Sequence, residues 1–269
     1  MNLDSPIWGL LEPVLFAAFL LGIRMLGVVL ALPGLSGAGA FPAPSRMIFV
    51  LFLTAFCYSA LGMPLVPLPR EPLVAIPQLV REFLIGAAMG LTVQVTLAVG
   101  EAAGTLVSNV TSLSMATMMD PTSGHESTTL STLFGVVGML LFISLDGHHH
   151  AVSGLMDNLA LFPLGGRSPA GFEVPALIQM GQGLFLAALK VAAPVLLVTS
   201  LVNVGLGMMA RAAPQLNVFT VGFAVVLLVG LSFVGRSVVS LHEVYKDTIP
   251  SLGERMNTDL LTIESGTKP

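Results

Sequence analysis

Long apolar runs alternate along this chain with short stretches rich in proline, glycine and charge. The runs fall at about residues 8–32, 47–63, 79–107, 132–145, 174–202 and 216–234. A membrane-crossing helix takes roughly 20 apolar residues. The pattern therefore predicts an all-α, polytopic helical membrane protein, with about six long hydrophobic segments arranged as helical hairpins. The fourth run is short, so it either begins earlier, through Thr128 and Thr129, or is not a simple bilayer span. Residues 146–173 read as a connection. Beyond Arg236, apolar positions recur at three- and four-residue steps, through Val238, Leu241, Tyr245, Ile249, Leu252, Met256, Leu260 and Ile263. That spacing predicts an amphipathic helix, interrupted at Pro250. Hence the chain divides into a helical core, 1–235, and a polar amphipathic tail, 236–269. One face of that tail is left to rest on the membrane, on this protein or on a partner.

Composition supports the membrane reading. Charged residues are 10% of the chain and apolar residues 54%, where soluble domains carry about 25% charged residues. The single Cys57 can form no internal disulfide. The few basic residues are scattered, so there is no footprint for nucleic acid. Ala38-Gly39-Ala40 resembles a leader cleavage site. No Lys or Arg precedes the first run and Arg24 lies within it, so that run is expected to remain in the mature protein.

The charges inside the runs are informative. Glu12, Arg24, Glu101 and Lys190 each need a partner in an apolar medium. Glu12 and Arg24 are more than three helical turns apart and cannot serve each other. In the third run, Gly86, Gly90, Gly100 and Gly104 share one side of a helix, with Glu82 and Glu101 projecting nearby and Gln94 somewhat further round. Small residues let a second backbone come close. Two readings stand open: packing inside the bundle, or docking onto other subunits.

No nucleophile elbow, P-loop, zincin motif or cysteine pair is present, and three adjacent histidines, His148, His149 and His150, point in different directions on a helix. No enzyme, metal or cofactor is expected. A secondary transporter for a small solute is the alternative, although the two related halves such proteins show are not evident here. If six segments cross, Arg70, Arg81, Arg167 and the basic tail lie on one side against Arg46 and Arg211 on the other. This places the C-terminus in the cytoplasm.

Between the third and fourth runs, Leu113-Ser114-Met115-Ala116-Thr117-Met118-Met119-Asp120-Pro121 is too polar to continue either one, yet carries three methionines. Methionine is flexible and fills irregular gaps, and Asp-Pro turns the chain. A water-facing loop has little use for this composition, so the stretch is expected to fold inward and block something.

That stretch, with Gly100 to Gly104 before it and LLFISLDGHHHAVSGL after it, resembles the middle of the FliR family, the flagellar counterpart of the virulence-associated SctT proteins. Residues 196–223 are similar to that family's hairpin, whose signature appears here as Arg211, Pro214, Gln215, Leu216 and Phe219. Arg24, Pro42, the Glu82 to Gly90 run and Pro163 are similarly placed, and the match in loop and hairpin is closer to the flagellar branch. Val110 and Ser112 stand where Gln and Gly are common, and Ala224 where a Gly-Phe-Pro would end. The resemblance implies a noncatalytic export-gate subunit in the bacterial inner membrane, within the flagellar basal body. It implies assembly with FliP-like and FliQ-like subunits into a pore for unfolded flagellar proteins, and an FlhB-like subunit at the cytoplasmic opening. It also implies that Ser112 to Pro121 plugs the closed pore. Glu12, Arg24, Glu101 and Lys190 would then find partners on neighbouring chains.

Overall fold

The computed structural model describes residues 6–32, 42–62, 64–69, 72–111, 113, 128–166, 174–212 and 218–258. Every regular element among them is helical: α1 (Pro6–Ala31), α2 (Ala43–Ala60), α3 (Pro72–Val110), α4 (Thr129–Ser144), α5 (Gly147–Leu161), α6 (Val174–Ala212), α7 (Val218–Thr248) and α8 (Leu252–Thr258), with a 3-10 turn at Ile249–Ser251. Five of these helices are long and apolar enough to cross a membrane, or six crossings if the broken pair α4 and α5 counts as one.

Helix lengths correct the expectation of spans near 20 residues. Helices α3 and α6 have 39 residues each, about 58 Å at 1.5 Å per residue, against a hydrocarbon layer of about 30 Å. Pro13 and Pro194 lie inside helices, as their places within the first and fifth runs imply, and α3 begins early enough to take in Pro77 as well. Each removes one backbone donor, which packing on either side can offset. The region read as a connection after residue 145 contains α5. Its start is separated from α4 only by Leu145 and Asp146, and Asp146 takes a φ of 57° to make the turn. Aspartate tolerates that region better than most residues. The fourth run does begin earlier than 132, because Thr128 caps α4, its hydroxyl oxygen accepting from the Ser131 N–H at 3.3 Å.

The chain forms two compact units interleaved along the sequence. One contains residues 1–94, 149–178 and 251–269, the other 95–148 and 179–250. In the first, α1 and α2 form a hairpin in which Thr54 of α2 comes within van der Waals contact of a Cβ placed on Gly22. The segment after α2 returns to α1: the Val66 N–H donates to the Pro13 carbonyl at 3.3 Å and the Tyr58 hydroxyl to the Pro64 carbonyl at 3.2 Å. Ala17, Leu20, Leu21, Met25 and Val29 of α1 are buried, as are Ile85 and Met89 of α3. These sets follow helical spacing, so each helix turns one apolar stripe inward. In the second unit, Val107, Leu130, Ala192 and Val195 make a core against which Leu106, Val110, Leu113, Leu196 and Val234 pack. Helix α7 runs through residue 236 without a break, and Leu241, Tyr245, Ile249, Leu252 and Met256 are buried. The described part of the tail's apolar stripe therefore rests on this protein, while Leu260 and Ile263 lie outside the described residues.

Candidate functional site

Arg24 organises the first unit. Its side chain and that of Glu82 are both fully buried, with a guanidinium nitrogen 2.5 Å from the carboxylate and Nε donating to Glu82 Oε2 at 2.7 Å. Two further guanidinium donors reach Asn158 Oδ1 at 3.2 Å and the Phe162 carbonyl at 2.9 Å. Arg81 donates to the other Glu82 oxygen and to the Gly166 carbonyl. A buried ion pair is tolerated when its remaining donors and lone pairs are satisfied, and here they largely are. Arg24 therefore does not wait for a neighbouring chain, which corrects the expectation drawn from the resemblance. Arg81, counted above as a loop charge, belongs to α3.

Close backbone approach makes this pairing possible. A Cβ on Gly86 would stand 1.9 Å from the Arg24 carbonyl oxygen, and one on Gly90 would stand 2.6 Å from that of Val28. Gly27 of α1 answers with the same intimacy toward the Phe83 carbonyl, at 2.4 Å. Only glycine fits such a crossing. In the second unit, Gly100 and Gly104 lie against α4, where added Cβ atoms would meet the carbonyl oxygens of Phe134 at 2.7 Å and Leu130 at 2.6 Å. Glu101, beside them, is exposed. The four glycines of α3 thus contact helices of this same chain.

The methionine-bearing loop, Ser112 to Pro121, lies outside the described residues except for Leu113. Its base is described, and it is anchored on both sides. The Thr111 hydroxyl donates to the Val107 carbonyl at 2.9 Å, and Thr111 Cγ2 occupies the space beside Gly230, 2.4 Å from where a Cβ would be. Leu113 packs on the core that contains Leu130, and Thr128 caps the helix that leaves the loop. Leu113 and Leu130, which flank the segment, therefore meet in one cluster.

Of the hairpin signature, Arg211 is the exposed last basic residue of α6, while Pro214, Gln215 and Leu216 lie outside the described residues, as does the side chain of Phe219. That α7 returns alongside α6 is shown by Leu206, whose Cδ1 is 3.1 Å from a Cβ placed on Gly222. Along α6, Leu197, Leu201, Val204, Met208 and Met209 are exposed, and Gly181, Gly183, Gly205 and Gly207 meet nothing within 4 Å. Lys190 is exposed in the middle of the same helix. Among the described residues Glu12, Glu101 and Lys190 make no ion pair.

Sequence reasoning missed Asn158, Asn257 and Thr111, and the capping role of Thr128, which it names only as an earlier start of the fourth run. The asparagines carried a usable signal, since Asn is a poor helix former and both stand within helices. The threonines carried one as well: Thr128 is a preferred capping residue immediately before an apolar run.

The model of the family described as bacterial export proteins, family 1, matches residues 15–252. The chain is 31% identical over 210 residues to flagellar biosynthetic protein FliR of Escherichia coli (strain K12), covering 78% of this chain and 79% of that protein. It is 32% identical over 175 residues to the FliR of Pectobacterium carotovorum subsp. carotovorum, covering 64% and 67%, respectively. The FliR of Bacillus subtilis (strain 168) is 29% identical over 229 residues, covering 82% and 85%. The matched region takes in the buried charge network, the glycine crossings and both anchors of the methionine-bearing loop. The chain accordingly belongs to the FliR family of bacterial export proteins, and is a noncatalytic membrane component of the flagellar export machinery of the inner membrane.

Proposed function

We propose that this chain assembles with FliP-like and FliQ-like subunits into the pore of the flagellar export gate, with an FlhB-like subunit at its cytoplasmic mouth. Unfolded flagellar proteins pass through that pore, and Ser112 to Pro121 plug it when closed. The C-terminus lies on the cytoplasmic side, where Arg70, Arg167 and the basic residues of the tail accumulate.

The surface of α6 carries the assembly reading. Lipid tails can cover Leu197 or Leu201, but they offer nothing to Lys190 or Asn203, both exposed on that helix. Nor do they reward bare glycines, each of which costs a helix roughly 0.5–1 kcal/mol relative to alanine. A neighbouring protein helix does both, pairing the charge and closing on the glycines. The helix is also too long for hydrocarbon alone to be its solvent.

The anchored loop base supports the plug reading. Leu113 packs on the core that contains Leu130, and Thr128 caps the helix that carries Leu130, so both ends of the proposed plug are held in place. Met115, Met118 and Met119 supply deformable apolar bulk, which excludes ions by dewetting and yields to an arriving polypeptide.

Extraction in mild detergent followed by native mass measurement tests the assembly. The chain should come out with different polypeptides, and recovery alone or only with copies of itself would favour a solute transporter. The plug is tested by deleting Ser114 to Met119 while keeping Leu113. The assembled complex should then leak ions, and an assembled but tight complex would remove the plug.

A further inference from the structure

We propose that α8 is a strap that opens and recloses separately from the rest of its unit, and that Asn158 couples its docking to the Arg24–Glu82 pair. This inference is independent of the pore reading.

The strap is short and follows a break in the helix. Helix α8 has seven residues, Leu252–Thr258, and follows a 3-10 turn containing Pro250. A helix of that length is not stable in isolation, so undocking and unfolding are one event. Its buried residues are Leu252, Met256 and Asn257. It meets α5 at a pair of glycines: a Cβ on Gly154 would stand 2.7 Å from the Gly253 Cα and 3.2 Å from the Met256 sulfur. Short length and a break in the backbone set such a segment apart as a unit that can open below the global unfolding free energy.

A directional chain of hydrogen bonds links the strap to the charge pair. Glu82 can only accept and Arg24 can only donate. Arg24 therefore requires the Asn158 oxygen, which turns the Asn158 amide nitrogen toward Asn257, whose Oδ1 it reaches at 2.9 Å. The Asn257 nitrogen is then left facing the carbonyls of Gly154 at 3.2 Å and Gly253 at 3.1 Å. Each amide has one orientation, set from the charge pair outward. Opening the strap leaves a buried Asn158 donor without its acceptor, and weakening the Arg24 end removes what orients that donor. By linkage the effect runs both ways.

The chemistry supplies a selective substitution. Asn158→Asp keeps an acceptor for Arg24 and adds a favourable charge, but turns a second oxygen toward Asn257. If Asn257 rotates to donate, its own oxygen meets the two glycine carbonyls. Either arrangement sets acceptor against acceptor, so the Arg24 end is kept and the strap is released.

Hydrogen exchange on the full-length protein, extracted in mild detergent, reads this directly. In the unsubstituted protein, residues 252–258 should exchange together, faster than residues 85–89 of α3 but slower than a free peptide. Asn158→Asp should speed exchange of 252–258 by roughly tenfold to a hundredfold, the loss of one or two buried hydrogen bonds, with 85–89 unchanged. Arg24→Lys, which cannot reach Glu82, Asn158 and Phe162 together, should raise strap exchange relative to 85–89 without touching the strap. Protection of 252–258 equal to that of 85–89 in the unsubstituted protein, or none at all, would overturn the strap. Indifference of 252–258 to both substitutions, or a parallel rise in 85–89, would overturn the coupling. The measurement on the unsubstituted protein decides the first point even where a variant fails to accumulate.

Discussion

Gly86 and Arg24 are in backbone contact: a Cβ on the glycine would lie 1.9 Å from the arginine's carbonyl oxygen. One turn earlier on α3, Glu82 holds the same arginine by its guanidinium. The pairing of the charges and the closeness of the helices are thus one feature. A larger residue at 86 would separate the backbones and stretch the ion pair together.

Gly86→Ala should therefore destabilise by about 3 kcal/mol, at the upper end of overpacking effects, because the opposing atom is backbone and cannot rotate away. Gly207→Ala provides the contrast, since nothing lies within 4 Å of it. It should raise the stability of the isolated chain by up to about 1 kcal/mol while lowering recovery with partner subunits. Thermal unfolding in detergent and co-extraction yields measure the two effects. An isolated chain weakened by Gly207→Ala would contradict the open environment of that position.

Arg24→Met strands a buried carboxylate and should cost about 3–5 kcal/mol. Arg81 also contacts Glu82, which keeps the loss nearer the lower value. Adding Glu82→Leu should recover part of it, because the uncompensated charge is gone. If the double variant proved no more stable than Arg24→Met, unfolding midpoints would show that the pair's charges are not the controlling interaction.

The Tyr245 hydroxyl donates to the Leu97 carbonyl at 3.1 Å and sits 2.9 Å from where a Cβ on Gly138 would be. Tyr245→Phe should cost about 0.5–1.5 kcal/mol for the lost bond. Gly138→Ala should cost about 1–3 kcal/mol, and much less in the Tyr245→Phe background, where the obstructing oxygen is absent. A double-mutant cycle on unfolding free energies checks this, and simple additivity would refute it.

Thr128→Ala removes the cap of α4 and should cost about 1 kcal/mol. Because Thr128 is also one anchor of the methionine-bearing loop, exchange should rise at residues 129–132 before it rises elsewhere in α4. Unaltered exchange there would mean that the 3.3 Å contact contributes nothing.

The long apolar helices, the membrane class, the α6 and α7 hairpin and the family were legible along the chain. Helical hydrogen bonds join residues four apart, so apolar periodicity is a local record of them. The same record located the glycine face of α3 but left open what would lie against it. That choice belonged to the tertiary structure. Arg24 finds Glu82 58 positions away and Asn158 134 positions away, separations over which periodicity carries no information. Helix α5 was hidden for a related reason: Gly147 and three histidines make its start look like loop, and burial of Leu155, Asn158 and Leu159 overrides their weak preference. Likewise the stripe from Leu241 to Met256 announced an amphipathic helix without naming its partner. Residue pattern determines which side of a helix must be covered, and only long-range packing decides what covers it.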